Sequence, residues 1–435
     1  MHAHNRAHPL RAFWILWSAM FLSGIGSSLS AFAFGVWVFQ ETGSTMQFAI
    51  TTFAAVLPYA LLAPIAGTFV DGWDRRSTMI GADSGQALVT AIIAWLLWHD
   101  QLAVWHLYIA AALSAIFGSF SGPAYSASTA LLVPKEQLAR VSGLGRFAWS
   151  GSRLLAPLLA GLLVVAIGLT GIVLIDLATF LIALVGYGLI QIPQPPRTQP
   201  TVTTPTFWQD LRFGWHYLLE RPGLLGLVFM GGVLNLFNNI ANTLQIPLVL
   251  SFADADAVGV VLTLSAGGSL VSGALMAAWG GPKRLLPGVM AFIAISGIGY
   301  TVAGLYPLVW LIAAGFSVAS LAGTGWGMLM TALEQRKVAL DVQGRVFGTE
   351  GMIALLFESA AYPLAGLLAD QIFEPAMGDG EWLATVLGPF VGVGAGRGMG
   401  VQILLMGCFV ICTASIGVLV PRIRHMEQEL PDAVQ

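Results

Sequence analysis

The chain has 435 residues, 57% of them hydrophobic and only 9% charged, and its 19 basic and 22 acidic side chains leave a net charge of −3. Mean hydropathy is +0.79. Soluble domains carry roughly 25% charged residues, so a soluble fold is excluded, and the dispersed charges form no basic stripe of the kind nucleic-acid partners require. What remains is an all-α membrane protein with room for about a dozen spans of roughly twenty residues each.

The leader Met1-His-Ala-His-Asn-Arg-Ala-His8 reads as a solvated tail rather than a metal site. The apolar run after it, Ala12 to about Phe39, is longer than the hydrophobic region of a signal peptide and lacks a small-x-small cleavage pattern, so it is taken as the first span. Apolar runs between charged or Pro/Gly punctuation predict twelve spans: 12–40, 46–70, 79–98, 105–132, 145–168, 171–192, 224–250, 257–279, 286–305, 308–332, 346–370 and 398–420.

Basic residues test this reading, because Lys and Arg collect on the cytoplasmic side. With the N-terminus inside, Arg6, Arg11, Arg75, Arg76, Lys135, Arg140, Arg197, Arg212, Arg221, Lys283, Arg284, Arg336, Lys337, Arg422 and Arg424 all fall inside; Arg397 alone falls outside. The outer loops carry Glu41, Asp100, Asp254, Asp256, Glu374, Asp379 and Glu381. A multi-pass protein of the bacterial inner membrane, monomeric and with both termini in the cytoplasm, is the expectation.

One composition break, the polar and Pro-rich stretch from Ile192 to Pro205, reads as a linker. It divides the chain into a six-helix half at 1–192, a cytoplasmic linker at 193–221 and a second six-helix half at 222–435. Within the linker, Phe207 to Glu220 places Phe207, Leu211, Trp215 and Leu218 near one side, the pattern of a short helix lying on the inner membrane face. The halves echo each other: Pro157-Leu-Leu-Ala-Gly-Leu-Leu163 against Pro363-Leu-Ala-Gly-Leu-Leu368, and Gly72-Trp-Asp-Arg-Arg76 against Gly280-Gly-Pro-Lys-Arg284. A duplicated six-span unit places its binding site near the midplane between the repeats. Cys408 and Cys412 share a face of the last span, an arrangement that suits neither a disulfide nor a metal site, and no cofactor is expected.

Between spans two and three runs Gly67-Thr-Phe-Val-Asp71-Gly-Trp-Asp-Arg75-Arg76. It resembles the cytoplasmic loop signature of the major facilitator superfamily, Gly-x-x-x-Asp-(Arg/Lys)-x-Gly-(Arg/Lys)-(Arg/Lys). Gly67, Asp71, Arg75 and Arg76 match; Gly72 stands where a basic residue is usual and Asp74 where glycine is usual. Gly280-Gly-Pro-Lys-Arg284, Gln343-Gly-Arg-Val-Phe347, Leu367-Leu-Ala-Asp370, Phe373-Glu-Pro375 and the tail Glu427-Gln-Glu-Leu-Pro-Asp432 extend the resemblance, across nearly the whole chain, to the efflux branch that includes macrolide and enterobactin exporters. The resemblance implies the major facilitator fold, a small-molecule substrate and alternating access. It also implies an inner gate in which Asp71 faces the positive N-terminal end of span eleven, with Arg75 and Arg76 reaching Glu350. Gly67 suits a close approach of two helices.

Ionisable groups at bilayer depth cost at least roughly 2.5–3.5 kcal/mol and ask for a partner or a purpose. Glu358 is thirteen residues from Arg345 and twelve from Asp370, hence roughly 20 Å along its helix. With no basic residue within one turn it is the candidate proton carrier; the alternative is a permanently protonated acid bonded to a backbone carbonyl. Span seven sets Asn235, Asn238, Asn239 and Asn242 along one face, and Gln245 lies further round. Since the resemblance implies that spans one, four, seven and ten line the cavity, these amides are candidate substrate contacts, against the alternative of an interhelical hydrogen-bond seam. Arg153 is either the partner of an unidentified acid or a docking charge for an anionic cargo, and Arg146 reads as a snorkelling residue. Asp83 and Asp176, taken to lie near helix ends, read as structural.

Span five carries Ala156-Pro157-Leu-Leu-Ala-Gly161, a partial version of an antiporter element whose first glycine is here Ala156. Span four has no arginine and span one no acid, so proton coupling must rest on Glu358, with Glu350 second. The leading function is proton-coupled export of a small apolar or amphipathic molecule, antibiotic- or siderophore-like. Uptake or lipid flipping by the same fold is the alternative, and a non-transporting sensor or scaffold is the alternative of another class. No phosphate loop, catalytic triad or metal-spaced cluster is present to suggest an enzyme, and Gly392-Val-Gly-Ala-Gly-Arg-Gly398 follows no strand and reads as loop or re-entrant backbone.

Overall fold

A computed structural model describes residues 9–133, 138–192, 207–282, 284–339 and 342–421. At several helical positions, Gly67, Asp71, Arg146 and Arg153 among them, the description is of backbone alone. The described residues are helical nearly throughout. In order they form α1 (Pro9–Thr42), α2 (Thr45–Gly72), α3 (Arg75–Trp98), α4 (Val104–Leu132), α5 (Leu138–Leu189), α6 (Phe207–Leu219), α7 (Pro222–Leu250) and α8 (Ala255–Trp279). There follow α9 (Leu285–Leu305), α10 (Val309–Lys337), α11 (Gln343–Leu368), a π-turn (Ala369–Phe373), α12 (Glu374–Ala376), α13 (Trp382–Val391) and α14 (Arg397–Leu419).

Eleven of these helical runs are long and apolar enough to cross a membrane. One of them, α5, is two legs meeting at Gly168, whose backbone (φ 67°, ψ −179°) is a conformation open essentially to glycine alone. The contacts of α1 give the direction of each leg. Trp17 and Gly24 meet Leu144 and Ser152 in ascending order, whereas Ala19 and Ser27 meet Gly186 and Asp176 in descending order. The legs therefore run antiparallel along α1, each as its own span, and the total among the described residues is twelve.

Two compact units divide the chain, Met1–Arg197 and Thr198–Gln435. In the first, α1 packs on α5, α2 and α3 on α4, and α3 on α5; in the second, α7 packs on α11 and α14, α8 and α9 on α10, and α9 on α14. Matching the twelve spans in order makes these two patterns the same, which is what a duplicated six-helix unit produces. In each unit exposed tryptophans gather at the helix ends, Trp73 opposite Trp98 and Trp105 in one, Trp279 opposite Trp310 and Trp382 in the other, as amphipathic rings do at the two membrane interfaces.

Lipid offers no hydrophobic drive between helices, so association rests on close packing of small residues. A Cβ added to Gly299 would lie 2.6 Å from the backbone N of Ala319 and O of Gly315, so α9 and α10 touch backbone to backbone. Glycine 214 on α6 packs in the same manner against Thr349 and the Arg345 carbonyl of α11. Helix α6 was expected to lie on the membrane face. One side of it docks on protein: Leu218 is fully buried with Val338, Val346 and Ile353, and the Arg345 guanidinium sits 5.0 Å over the Phe213 ring. Trp215 and Leu219 stay exposed, so the apolar side splits between protein and surroundings.

Candidate transport site

The loop signature closes with a helix start. Asp74, the departure from the family pattern, is the N-cap of α3, its Oδ1 accepting from the Ser77 amide at 2.7 Å, where a glycine would leave that donor open. Arg76 donates through Nε and Nη2 to the carbonyls of Tyr187 and Gly188, at 2.7 and 2.6 Å, near the C-terminus of α5. These carbonyls have no partner within the helix, and a cation there is favourable. This capping role lies inside Arg76's own unit. Nε and Nη1 of Arg75 are buried with no hydrogen-bond partner among the described residues. The surroundings of Gly67 and the side chains of Asp71 and Arg153 lie outside the described residues.

In the second unit, Glu358 is half-buried and accepts a hydrogen bond from the Tyr362 hydroxyl one turn on, at 3.0 Å. Glu350 is half-buried with Oε1 unpartnered among the described residues, and its charge interacts with that of Glu334 on α10. Glu334 was not singled out in the sequence, because nothing local marks it as a neighbour of α11. The amides of the stripe meet different partners. Asn239 donates to the Asn235 carbonyl at 2.8 Å on its own helix, Asn242 donates to the buried Tyr300 hydroxyl on α9 at 3.2 Å, and Asn238 Oδ1 is buried without a partner among the described residues. Gln245 is buried and donates to Ser265 on α8 at 2.8 Å. Asn242 and Gln245 thus stitch helices together, while Asn235, Asn238 and Asn239 keep polar atoms that no other helix claims among the described residues.

Two acids read as structural and near helix ends lie elsewhere. Asp83 is eight residues into α3 and Asp176 eight residues past Gly168; both are buried, at 3% and 4% exposure. Asp83 accepts from the Tyr187 hydroxyl on α5 at 2.9 Å and the Ser121 hydroxyl on α4 at 3.0 Å; Asp176 accepts from Ser27 on α1 at 3.2 Å and Thr90 on α3 at 3.5 Å. The signal was available: an acid more than two turns inside an apolar span with no base within one turn.

Arg397, the one basic residue assigned to the outer side, is 1% exposed, and its Nη2 donates to the carbonyls of Gly304 and Leu305 at 2.8 and 3.1 Å, closing the C-terminus of α9. Glu374 caps the start of α14 in turn, accepting from the amides of Gly396 at 3.2 Å and Met399 at 2.8 Å. The glycine-rich run is thus a helix start gripped by a carboxylate. The π-turn that precedes Glu374 brings its backbone against Gly398.

Twelve antiparallel spans in two matching six-helix units, with buried polar side chains inside the helices, define a secondary transporter rather than an enzyme. A family model described as Major Facilitator Superfamily matches residues 16–356, and the chain belongs to that superfamily. It is similar to macrolide efflux protein A of Streptococcus pyogenes, 28% identical over 95% of this chain and 97% of that one, and to the multidrug efflux pump Tap of Mycobacterium tuberculosis, 25% identical over 96% and 94%. In fold it matches a bacterial homologue of the human lysosomal transporter Spinster in an inward-facing, unoccupied conformation, with a TM-score of 0.71, 12% identity and 98% of each chain covered.

Proposed function

We propose that the chain exports a small apolar or amphipathic molecule, macrolide-like in class, by alternating access driven by protons moving inward. The observation that carries this reading is similarity over nearly the full chain to relatives named for macrolide and multidrug efflux. Glu358, close to mid-span and hydrogen-bonded to a phenol rather than a cation, supports it as the proton carrier in α11. Asn235, Asn238 and Asn239 supply amide donors and acceptors to cargo, and Arg153 a docking charge. Asp71 latches onto the N-terminal end of α11, where Glu350 follows, and Gly67 admits the close approach. The protein works as a monomer in a bacterial inner membrane, with both termini in the cytoplasm.

The test is uptake of a labelled macrolide by energised inverted vesicles, with and without an ionophore, for the wild type and Glu358→Gln. Wild-type accumulation should collapse with the proton gradient, and the variant should lose the gradient dependence. Accumulation in right-side-out vesicles would overturn export, and unchanged gradient dependence in the variant would remove Glu358 from coupling.

A further inference from the structure

Among its described residues the first unit buries two carboxyl groups, and they brace the same pair of helices reciprocally. Helix α3 gives Asp83 to Tyr187 of α5 and Thr90 to Asp176 of α5, so each helix supplies one acid and one hydroxyl. Each brace ties in a further helix, Ser121 of α4 at Asp83 and Ser27 of α1 at Asp176. At Asp176 the approach of α1 is close: a Cβ on Gly26 would lie 3.0 Å from Oδ1. Ser30 Oγ, buried and without a bond of good geometry, lies within reach of the same carboxyl.

Every direct partner in these cages among the described residues is neutral. Facing Asp83 are the Tyr187 hydroxyl, the Ser121 hydroxyl and the Gln86 amide at 3.4 Å, with Tyr125 of α4 beside Tyr187; the nearest cation in the hydrogen-bond network, Arg76, is spent on the Tyr187 carbonyl. Facing Asp176 are Ser27, Ser30 and Thr90, and no charged group among the described residues. A hydroxyl both donates and accepts. The same cage therefore serves the ionised acid, which accepts from all of its neighbours, and the protonated acid, whose new O–H bond donates to one of them. An arginine partner would fix one state.

Packing by itself does not call for acids at this seam. The matching pair in the second unit, α9 and α14, meets through glycine instead: Gly297 faces the Gly407 carbonyl, with 2.7 Å to an added Cβ, and Gly304 faces the carbonyl of Gly400. Two carboxyl groups on spanning helices, costly to hold ionised, are thus a feature of one repeat, and the matching seam of the other does without them.

We propose that Asp83 and Asp176 are reversible proton-binding sites, a second coupling station in the first unit beside Glu358. A proton taken from water forms an O–H bond on the Asp176 carboxyl, weakens the bonds from Ser27 and Thr90, and loosens α1 and α3 from the second leg of α5. What those protons drive rests on the exporter reading; that they bind does not.

Infrared difference spectroscopy of the full chain in proteoliposomes, stepped from acid to neutral pH without substrate, reads protonated carboxyl groups through a C=O band that shifts in D2O. Asp83→Asn and Asp176→Asn keep an acceptor in place, and each should remove part of that band, while Glu358→Gln should leave both parts. Ser27→Ala, which leaves the acid untouched, should move the midpoint of the Asp176 component. An unaltered titrating band in both Asp→Asn variants, or a carboxyl signal that follows Na+ at fixed pH instead of following pH, would overturn the proposal. Because no substrate is present, a failure of export in the wild type would count against the exporter reading alone.

Discussion

A guanidinium buried to 1% exposure, Arg397 earns its place by bridging two carbonyls at the end of α9 that have no partner in the helix. Both bonds leave one nitrogen, Nη2, at the tip of a side chain longer than lysine's, so an ammonium on the shorter stem falls short of them. Arg397→Lys keeps the charge and is expected to lower stability by about 1.5–3 kcal/mol, the range for hydrogen bonds to charged groups, read as a lower melting temperature in detergent; an unchanged melting point would show the bridge to be idle. The same residue explains the single break in the charge asymmetry of the loops. It lies inside the protein instead of in an aqueous loop, so it is no counter-example to a rule about loop charges. Glu358, Glu350 and the asparagines were all visible in the sequence as polar groups in apolar runs. Their partners Tyr362, Glu334 and Tyr300 were not named there, and the last two come from other helices.

Among the elements, α5 shows how one residue makes two spans from one helical run. At Gly168 an L side chain would force a sparsely populated backbone state, costing of order 1–3 kcal/mol. Gly168→Ala should therefore destabilise the first unit by about that amount, whereas Gly81→Ala, with nothing near its added Cβ and ordinary helical backbone, should cost nothing; a thermal melt of both variants decides it. Helix α6 carries the opposite lesson. Its amphipathic pattern was legible, but a pattern of that kind names a face and not what covers it, and Leu218 finds α11 and α7 rather than lipid. The reciprocal braces between α3 and α5 were illegible for a related reason: Asp83 and Tyr187 are 104 residues apart and meet only because the repeat folds α3 against the second leg of α5.

For the whole molecule, alternating span direction fixes the side of every loop once one is known. A phosphatase reporter inserted at Gln101 should be active, as on the outer face, and one inserted at Trp73 inactive; the reverse pattern would invert the proposed orientation. The sequence by itself determined the number of spans, the duplication and the family, because a membrane demands long apolar runs, because basic residues sort by side, and because the loop signature is local. Tertiary structure decided the partners. In a medium without water each buried polar group must be satisfied from within the protein, and which hydroxyl, carbonyl or phenol does so depends on which helices touch. That is why Arg76 became a helix cap, Asn242 became a tie to α9, and two aspartates read as structural in the sequence became the best-bonded acids among the described residues of the first unit.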